Sequence, residues 1–544
     1  MTSREPPFAL REGQGRPGSV LRLRSARTVV RVGIALATAL AAPETKAETY
    51  RNPVLYADYS DPDVIRVGKD YYLAASSFHL SPGLPILHSR DLVHWSIVGH
   101  VLPKLRFAPE YDMPGPFALT DATSKPTTGT RYAGGVWAPS LRYHNGLFYI
   151  YWPTPDEGIF MATARNPAGP WSKPVTVIAG PGYEDPCPFW DDDGTAWLIH
   201  GKVGAGPLIL HRMSADGMHV LDDGVVVVRD PERLPVLEGP KLYKRHGYYY
   251  IFAPIGGVGK GPQAVGRARS ITGPYEWRDV LKPSDTIQGP HQGGYVETPD
   301  GKGWFIHFNQ TGAFGRIDYL EPVRWVDDWP VMGDADQPVE HYAMPAPATR
   351  ERLQDSDGFA SRRLGLQWSW NHNPDDQAWS LTQRPGFLRL RAGKADYLAT
   401  ARNTLTQILQ GPSSNITARI DLSHMADGER AGLAMFGVGP SWIGVVRERG
   451  VNWVTLSIAG KDKRDVAVKQ ALIQLSVAVG ADQKATYSYS LDGGRSFVRL
   501  GAPVPLSPFS WWKGSRPGLF TYNTNAAAGW IDVDWVHVRA ERIN

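Results

Sequence analysis

The chain has 544 residues, 42% apolar and 21% charged, which suffices for a sizeable core and excludes a disordered protein. Its formal charge of +4 lies in the first fifty residues, which hold eight Lys/Arg against four Asp/Glu; the balanced remainder excludes a basic nucleic-acid footprint. The single cysteine, Cys187, excludes an internal disulfide framework and a cysteine-built zinc site, and is read as a small, partly buried residue.

In chain order, the first feature is a targeting segment. Arg22, Arg24, Arg27 and Arg31 precede the apolar run 32–42 (VGIALATALAA), and small residues follow to Ala47. A basic stretch, a short apolar run and small residues form an export signal over residues 1–47. Eleven apolar residues are too few to span a bilayer, which takes about 20. The expectation is a periplasmic or secreted protein with no membrane association beyond export.

From residue 48 onward the chain is rich in turns and aromatics, with 57 Gly, 45 Pro and 11% Phe, Trp and Tyr. A short aromatic strand recurs five times, starting at Asp70, Leu147, Thr195, Tyr248 and Gly303, mostly behind a Gly-containing turn. A second motif follows three of the copies, as His88–Trp95, Ala164–Trp171 and Ala268–Tyr275, and is read as an outer strand closing each unit. Repeats of about 50 residues indicate a propeller or array. The spacing predicts a five-bladed β-propeller over 48–335, with a large loop near 103–133. Residues 336–354 are Pro/Ala-rich and charged and read as a linker. Beyond them, alternating segments such as Trp379–Thr382, Ala418–Leu422 and Trp530–Val536 predict an antiparallel, jelly-roll β-sandwich over 355–544. The fold class is all-β.

Three acids stand at the starts of different blades. Asp61 lies in YSDPDVI, Asp185 in GYEDPCPFW and Glu238 in LEGPKLY. Equivalent positions of different blades meet at a propeller axis, so these distant residues are expected to converge in one funnel. Two or three convergent carboxylates suit glycoside hydrolysis: one protonates the leaving oxygen and another activates water. A nearby negative group raises the acid's pKa and keeps it protonated. Asp58, Asp63 and the run Asp191–Asp193 are read instead as turn formers. His307 is read as structural.

The segments YSDPDVIRVGKDYYL (59–73), PGLPILHSRDLVHW (82–95), GVWAPS (135–140), EGPKL (238–242), GPHQGG (289–294) and GRI (315–317) together resemble glycoside hydrolase family 43, which contains β-xylosidases and α-L-arabinofuranosidases. Residues 355–542 resemble the concanavalin-like C-terminal domain of one branch of that family. The resemblance implies a five-bladed propeller and an inverting mechanism, with Asp61 as general base, Glu238 as general acid and Asp185 as modulator of the acid's pKa. It implies that Phe78 and Trp137 wall the sugar pocket and that Arg316 binds sugar hydroxyls. His291 matches a histidine that in many members lies on the axis near a metal ion, often calcium, or water. No cofactor is required for the chemistry, and a structural calcium on the axis is the one metal expectation. Three departures bear on sugar preference: His79 after Phe78, Asp318 after Gly315–Ile317, and the Pro-Cys-Pro after Asp185.

The leading expectation is an exported glycosidase that removes terminal β-D-xylosyl or α-L-arabinofuranosyl units from xylo- or arabino-oligosaccharides. A sandwich loop over the pocket rim would narrow the site to one sugar. The alternative is a non-catalytic carbohydrate-binding propeller using the same funnel. A third reading makes the sandwich tryptophans (Trp368, Trp370, Trp379, Trp442, Trp511, Trp512) a stacking platform.

Overall fold

The computed structural model describes residues 48–118 and 128–544. The expected export segment and the tip of the expected long loop near 103–133 lie outside the described residues. Secondary structure is strand throughout, apart from three single-turn 3₁₀ helices. The all-β expectation holds.

Five four-stranded antiparallel sheets follow one another in sequence among the described residues; four are built from consecutive strands, and in the first the short strand Leu80–Ser81 intervenes and pairs elsewhere. The first blade is Asp63–Val67, Asp70–Ala74, Gly83–Ser89 and Ser96–Leu102. The innermost strands of the other four are Ser140–His144, Tyr183–Trp190, Lys241–Arg245 and His291–Glu297. The recurring aromatic strand is the second of every blade, and its rings fill the space between blades. Each of the five seams has its own buried cluster. Ile86 and Val101 meet Leu141 and Ile150 between the first two blades. Tyr151 and Met161 meet Leu198 and Met213 at the next, and Ile199 and Leu208 meet Leu242 and Ile251 at the third. Tyr250 and Phe252 meet Phe305 and Val323 at the fourth, and Trp304 and Ile306 meet Val64 and Leu73 where the ring closes. Fully burying one such side chain contributes about 1.5–3 kcal/mol.

The second repeated motif is the turn between third and fourth strands, rather than an outer strand. Its terminal aromatic bonds back to its own loop: Trp95 Nε1 donates to Leu92 O (2.9 Å), Trp171 Nε1 to Pro167 O (3.1 Å) and Tyr275 OH to Ile271 O (2.7 Å). Repetition of that local bond explains why the motif is visible in sequence.

Residues beyond the last blade close the ring. His341–Ala343, inside the expected linker, pairs antiparallel with Thr49–Arg51. Leu55 and Asp318 exchange both backbone hydrogen bonds (3.2 and 3.0 Å), tying the entry of the first blade to the fifth. The C-terminal part is a two-sheet sandwich around a core that includes Leu388, Leu405, Ile443, Leu475 and Ile531. One of its sheets is extended by the propeller's own Leu80–Ser81, with Trp370 opposite Ser81 and Asn371 opposite Leu80. Among the described residues pairing is antiparallel apart from Gly393–Lys394, which runs parallel to Tyr522–Asn523, and an isolated parallel bridge between Leu80 and His372. Trp368, Trp370 and Trp442 are buried, and Trp379 packs against the core. They form no exposed stacking platform.

Candidate active site

In each blade the innermost strand begins beside the axis, and side chains at those starts line one cavity of about 100 Å³; its aromatic wall with a few convergent polar groups is the make-up of a small-ligand site. Asp61 comes from the first blade, Trp137 and Ala138 from the second, Glu184 and Asp185 from the third, Glu238 from the fourth, and His291 and Gln292 from the fifth. Phe78, Arg316, Val258 and Trp512 complete the wall. All seven residues named from the sequence therefore share one cavity.

The chain adopts costly backbone conformations to aim these groups. Asp61 (φ 56°), Phe78 (φ 52°), Asp185 (φ 53°) and Gln292 (φ 37°) are left-handed without being glycine. Each such residue costs about 1–3 kcal/mol, which surrounding bonds must over-determine. Phe78, for example, exchanges backbone bonds with Val136 of the second blade (2.8 and 3.0 Å). At Asp185 the conformation coincides with a register shift between Glu184 and Cys187. Neighbours on a regular strand face opposite ways; the bulge breaks that alternation and lets both acids reach the cavity.

Asp61 is held on both oxygens. Arg316 Nη1 donates to Oδ1 (2.6 Å) and the Ser76 hydroxyl to Oδ2. The Arg316 guanidinium lies 4.7 Å from the Phe308 ring centroid, 5.6 Å from Phe509 and 5.7 Å from Trp512. Across the cavity, carboxylate oxygens of Glu184, Asp185 and Glu238 lie within 4.8 Å of one another. Three carboxyls that close cannot all be ionised. Burial, then the charges of Glu238 and Asp61, push Asp185 up to about 7, although the Gly239 N–H donates to it (2.8 Å). Burial, then Asp185 and Glu238, push Glu184 up to about 9. Burial also pushes Glu238 up, but His291 Nε2 at 2.9 Å and the Arg316 charge outweigh it and hold Glu238 below the usual glutamate value. Proton occupancy in the free pocket is thus displaced toward Glu184 and Asp185, while Glu238 faces a histidine.

The surroundings of His291 bear on the calcium expectation. Calcium takes six to eight oxygens. His291 offers nitrogen, and the nearby axis already holds a cation. Lys241, fully buried, reaches from the fourth blade to Pro139 O and Ser140 Oγ of the second (both 2.7 Å) and stands 4.0 Å from Asp63 Oδ2 of the first. These oxygens are engaged by an ammonium and are not open to a metal ion, while His291 itself stands 2.9 Å from Glu238 Oε1.

Other acids read as structural do brace the fold. Asp63 accepts from Leu141 N and Arg142 Nη1 (both 2.7 Å), and Asp191 pairs with Lys244 and Tyr249. His307 is buried, its Nε2 3.5 Å from Glu321 Oε1. Cys187 is buried, its sulfur accepting from Arg142 Nη2 (2.9 Å) and Leu242 N (3.3 Å). Of the other departures, His79 turns away from the cavity into a cluster with Tyr132, His372 and Trp511. Asp318 is buried, with neither carboxylate oxygen hydrogen-bonded among the described residues.

Sequence reasoning missed Glu184, and it expected a sandwich loop at the pocket rim without assigning Trp512 to it. Glu184 was hidden because alternation assigns it to the face opposite Asp185. Trp512 (φ 67°) sits in the sandwich loop ahead of Arg516–Asn523. That loop is pinned to the propeller: Gly514 N donates to Asp58 Oδ2 (3.0 Å), and Lys513 Nζ to Asp58 O (3.2 Å) and Ser76 O (3.3 Å). Asp58 Oδ1 also accepts the Arg316 N–H (3.0 Å). Asp58 therefore joins the sandwich loop to the arginine that holds Asp61, a role beyond forming a turn.

The comparisons with known proteins agree with this geometry. Residues 50–330 match the model of glycosyl hydrolases family 43, and residues 356–539 match the β-xylosidase C-terminal concanavalin A-like domain. A putative β-xylosidase of Xylanibacter ruminicola is 41% identical over 481 residues, covering 87% of this chain and 86% of the relative. A non-reducing end α-L-arabinofuranosidase of Bacteroides ovatus is 32% identical over 413 residues, 71% of this chain and 74% of the relative. Among solved structures, a family 43 glycoside hydrolase engineered to show both endo-xylanase and exo-arabinofuranosidase activity superposes with a TM-score of 0.81 at 29% identity, covering 91% of this chain and 100% of that one. A binding-only propeller is not favoured by these matches. The chain belongs to family 43 of the glycosyl hydrolases, and it is a glycosidase.

Proposed function

We propose that the protein removes single β-D-xylosyl or α-L-arabinofuranosyl units from the ends of hemicellulose-derived oligosaccharides, with inversion at the anomeric carbon. The observation that carries this reading is the division of one cavity into two carboxylate groups. Asp61 is anchored as an acceptor by Arg316 and Ser76, while Glu238 shares a cluster with Asp185 and Glu184. In the reaction, Asp61 takes a proton from a water as that water attacks the anomeric carbon. Glu238 gives a proton to the departing oxygen. The free pocket favours that proton on Asp185, so substrate binding must shift it to Glu238, directly or through one water. Asp185 then becomes the negative neighbour that keeps the acid protonated. No step passes through a metal ion.

The sugar preference is supported by the relatives, one a putative β-xylosidase and one an α-L-arabinofuranosidase. End-on action is supported by the wall: Trp137 and Trp512 stand edge to face, 6.2 Å between centroids, beside Phe78. Aromatic faces suit the C–H side of a pentose and leave one face of the cavity closed. We read the protein as periplasmic or secreted on the strength of its N-terminal sequence pattern. The test is hydrolysis of p-nitrophenyl β-D-xyloside and α-L-arabinofuranoside, with the product ladder from xylohexaose followed over time. Early release of xylose together with xylopentaose, and no other fragment, supports end-on action on a xylan substrate. Activity on neither pentoside, or early release of internal fragments, contradicts the proposal.

A further inference from the structure

Glu184 has no part in the two-carboxylate chemistry, yet it lines the same cavity and is only 5% exposed. Its Oε1 accepts the Ala205 N–H (3.2 Å) and the Gly204 N–H also bonds to the carboxyl, so the loop after Ala196–Lys202 holds it from behind. Among the described residues no side-chain donor reaches it. The titratable groups that act on it are the carboxyls of Asp185 beside it and Glu238 from the fourth blade, and both disfavour its charge. On the adjacent strand, His200 is turned to His211 (Nε2–Nε2 3.1 Å) and Lys202 is exposed. Nothing on the protein neutralises Glu184, so a fixed proton is the way its charge can be avoided in so crowded a group.

We propose that Glu184 is a fourth working carboxyl of the site, present as the neutral acid and hydrogen-bonding the hydroxyls of the bound sugar. A protonated carboxyl gives one hydrogen bond and accepts another, which matches a vicinal diol of a pentose. An ionised one would only accept, and would add a second negative charge beside Asp185. The inference rests on the pentosidase reading for the identity of the ligand.

The test uses the full chain and four proteins: wild type, Glu184→Gln, Glu184→Leu and Glu184→Ala. Dissociation constants for D-xylose and L-arabinose are measured by calorimetry, with thermal unfolding to establish that each variant is folded. The amide keeps a donor and an acceptor without charge, so Glu184→Gln binds the preferred pentose within about twofold of wild type. Glu184→Leu and Glu184→Ala lose the pair and weaken binding about five- to tenfold, as for a buried neutral hydrogen bond. If Leu does not fold, the Ala and Gln variants decide the matter. Wild-type affinity in the Ala or Leu variant overturns the proposal, as does a Gln variant as weak as Ala. A second readout is the alkaline limb of kcat/KM. In Glu184→Gln it keeps its position to within about half a unit, because a protonated carboxyl and an amide present the same charge; a drop of one unit or more means the carboxyl was ionised and overturns the proposal. A wild type that binds a pentose but hydrolyses neither pentoside sinks the functional assignment alone, and the binding constants still decide the role of Glu184.

Discussion

Asp58 is 3% exposed and joins the propeller to the sandwich loop. Its carboxylate accepts from Ser60 Oγ (2.9 Å), Arg316 N (3.0 Å) and Gly514 N (3.0 Å), with the Lys513 ammonium 3.5 Å away. Burial, opposed by Asp58, holds Lys513 below the usual lysine value, so that ammonium depends on its partner to stay charged. Asp58→Ala strands two buried N–H groups and weakens the support of a buried cation. At about 1–3 kcal/mol for each unsatisfied group, the loss is about 2–6 kcal/mol, a large share of a typical total of about 5–15 kcal/mol. Lys513→Met removes the cation but leaves Asp58 with its three donors, so it costs about 1–2 kcal/mol, the loss of net hydrogen bonds alone. The double variant loses less than the sum by about 1–3 kcal/mol, since the stranded charge is gone. Denaturant unfolding followed by tryptophan fluorescence measures all three, and kcat/KM of Asp58→Ala falls as Arg316 loosens its hold on Asp61. Additive losses, or an Asp58→Ala variant within 1 kcal/mol of wild type, would refute the reasoning.

Other expectations follow from the same geometry. Glu238→Gln keeps pentose binding but lowers kcat by about 10²–10⁴, the usual contribution of a general acid, on substrates with poor leaving groups; kinetics on xylobiose beside xylose calorimetry checks it, and an unaffected kcat would remove Glu238 from the reaction. Asp185 sits at about 7 against an ordinary 3.8. An acid with a raised folded-state pKa adds stability that is present at low pH and lost as pH rises through about 7. Asp185→Asn therefore unfolds at higher temperature than wild type at pH 8, by on the order of 3 kcal/mol, with the gain vanishing near pH 4 and activity falling at every pH. Calorimetry at the two pH values checks this, and equal midpoints at pH 8 would contradict it. Trp512→Ala opens one wall and raises KM for xylobiose several-fold while p-nitrophenol release changes less; equal KM values would place Trp512 outside the sugar-binding wall.

How much of this was legible in the sequence depended on whether a local physical cause repeats. The blades were legible because each second strand must fill an inter-blade seam with rings, and each third-to-fourth turn reuses one aromatic bond to its own backbone. Asp61, Asp185 and Glu238 were legible because they recur at the start of innermost strands. Glu184 was not, since a bulge and one left-handed residue at Asp185 override the alternation that a sequence pattern assumes. Trp512 and the coupling role of Asp58 were not, because they depend on contacts spanning more than 450 positions, such as Gly514 with Asp58. Nor does the pattern EGPKL reveal that Lys241 places its ammonium among oxygens of two other blades.

The central claim is that Asp61 activates water while Glu238 protonates the leaving group, on opposite sides of a single sugar. Proton NMR of the first sugar released from whichever pentoside the enzyme cleaves tests it most directly, before mutarotation mixes the anomers. Inversion at the anomeric carbon, giving α-xylose from a β-xyloside, is the predicted result. Release of the sugar with its original configuration would contradict it, because a retained anomer requires one carboxylate to attack the carbon itself.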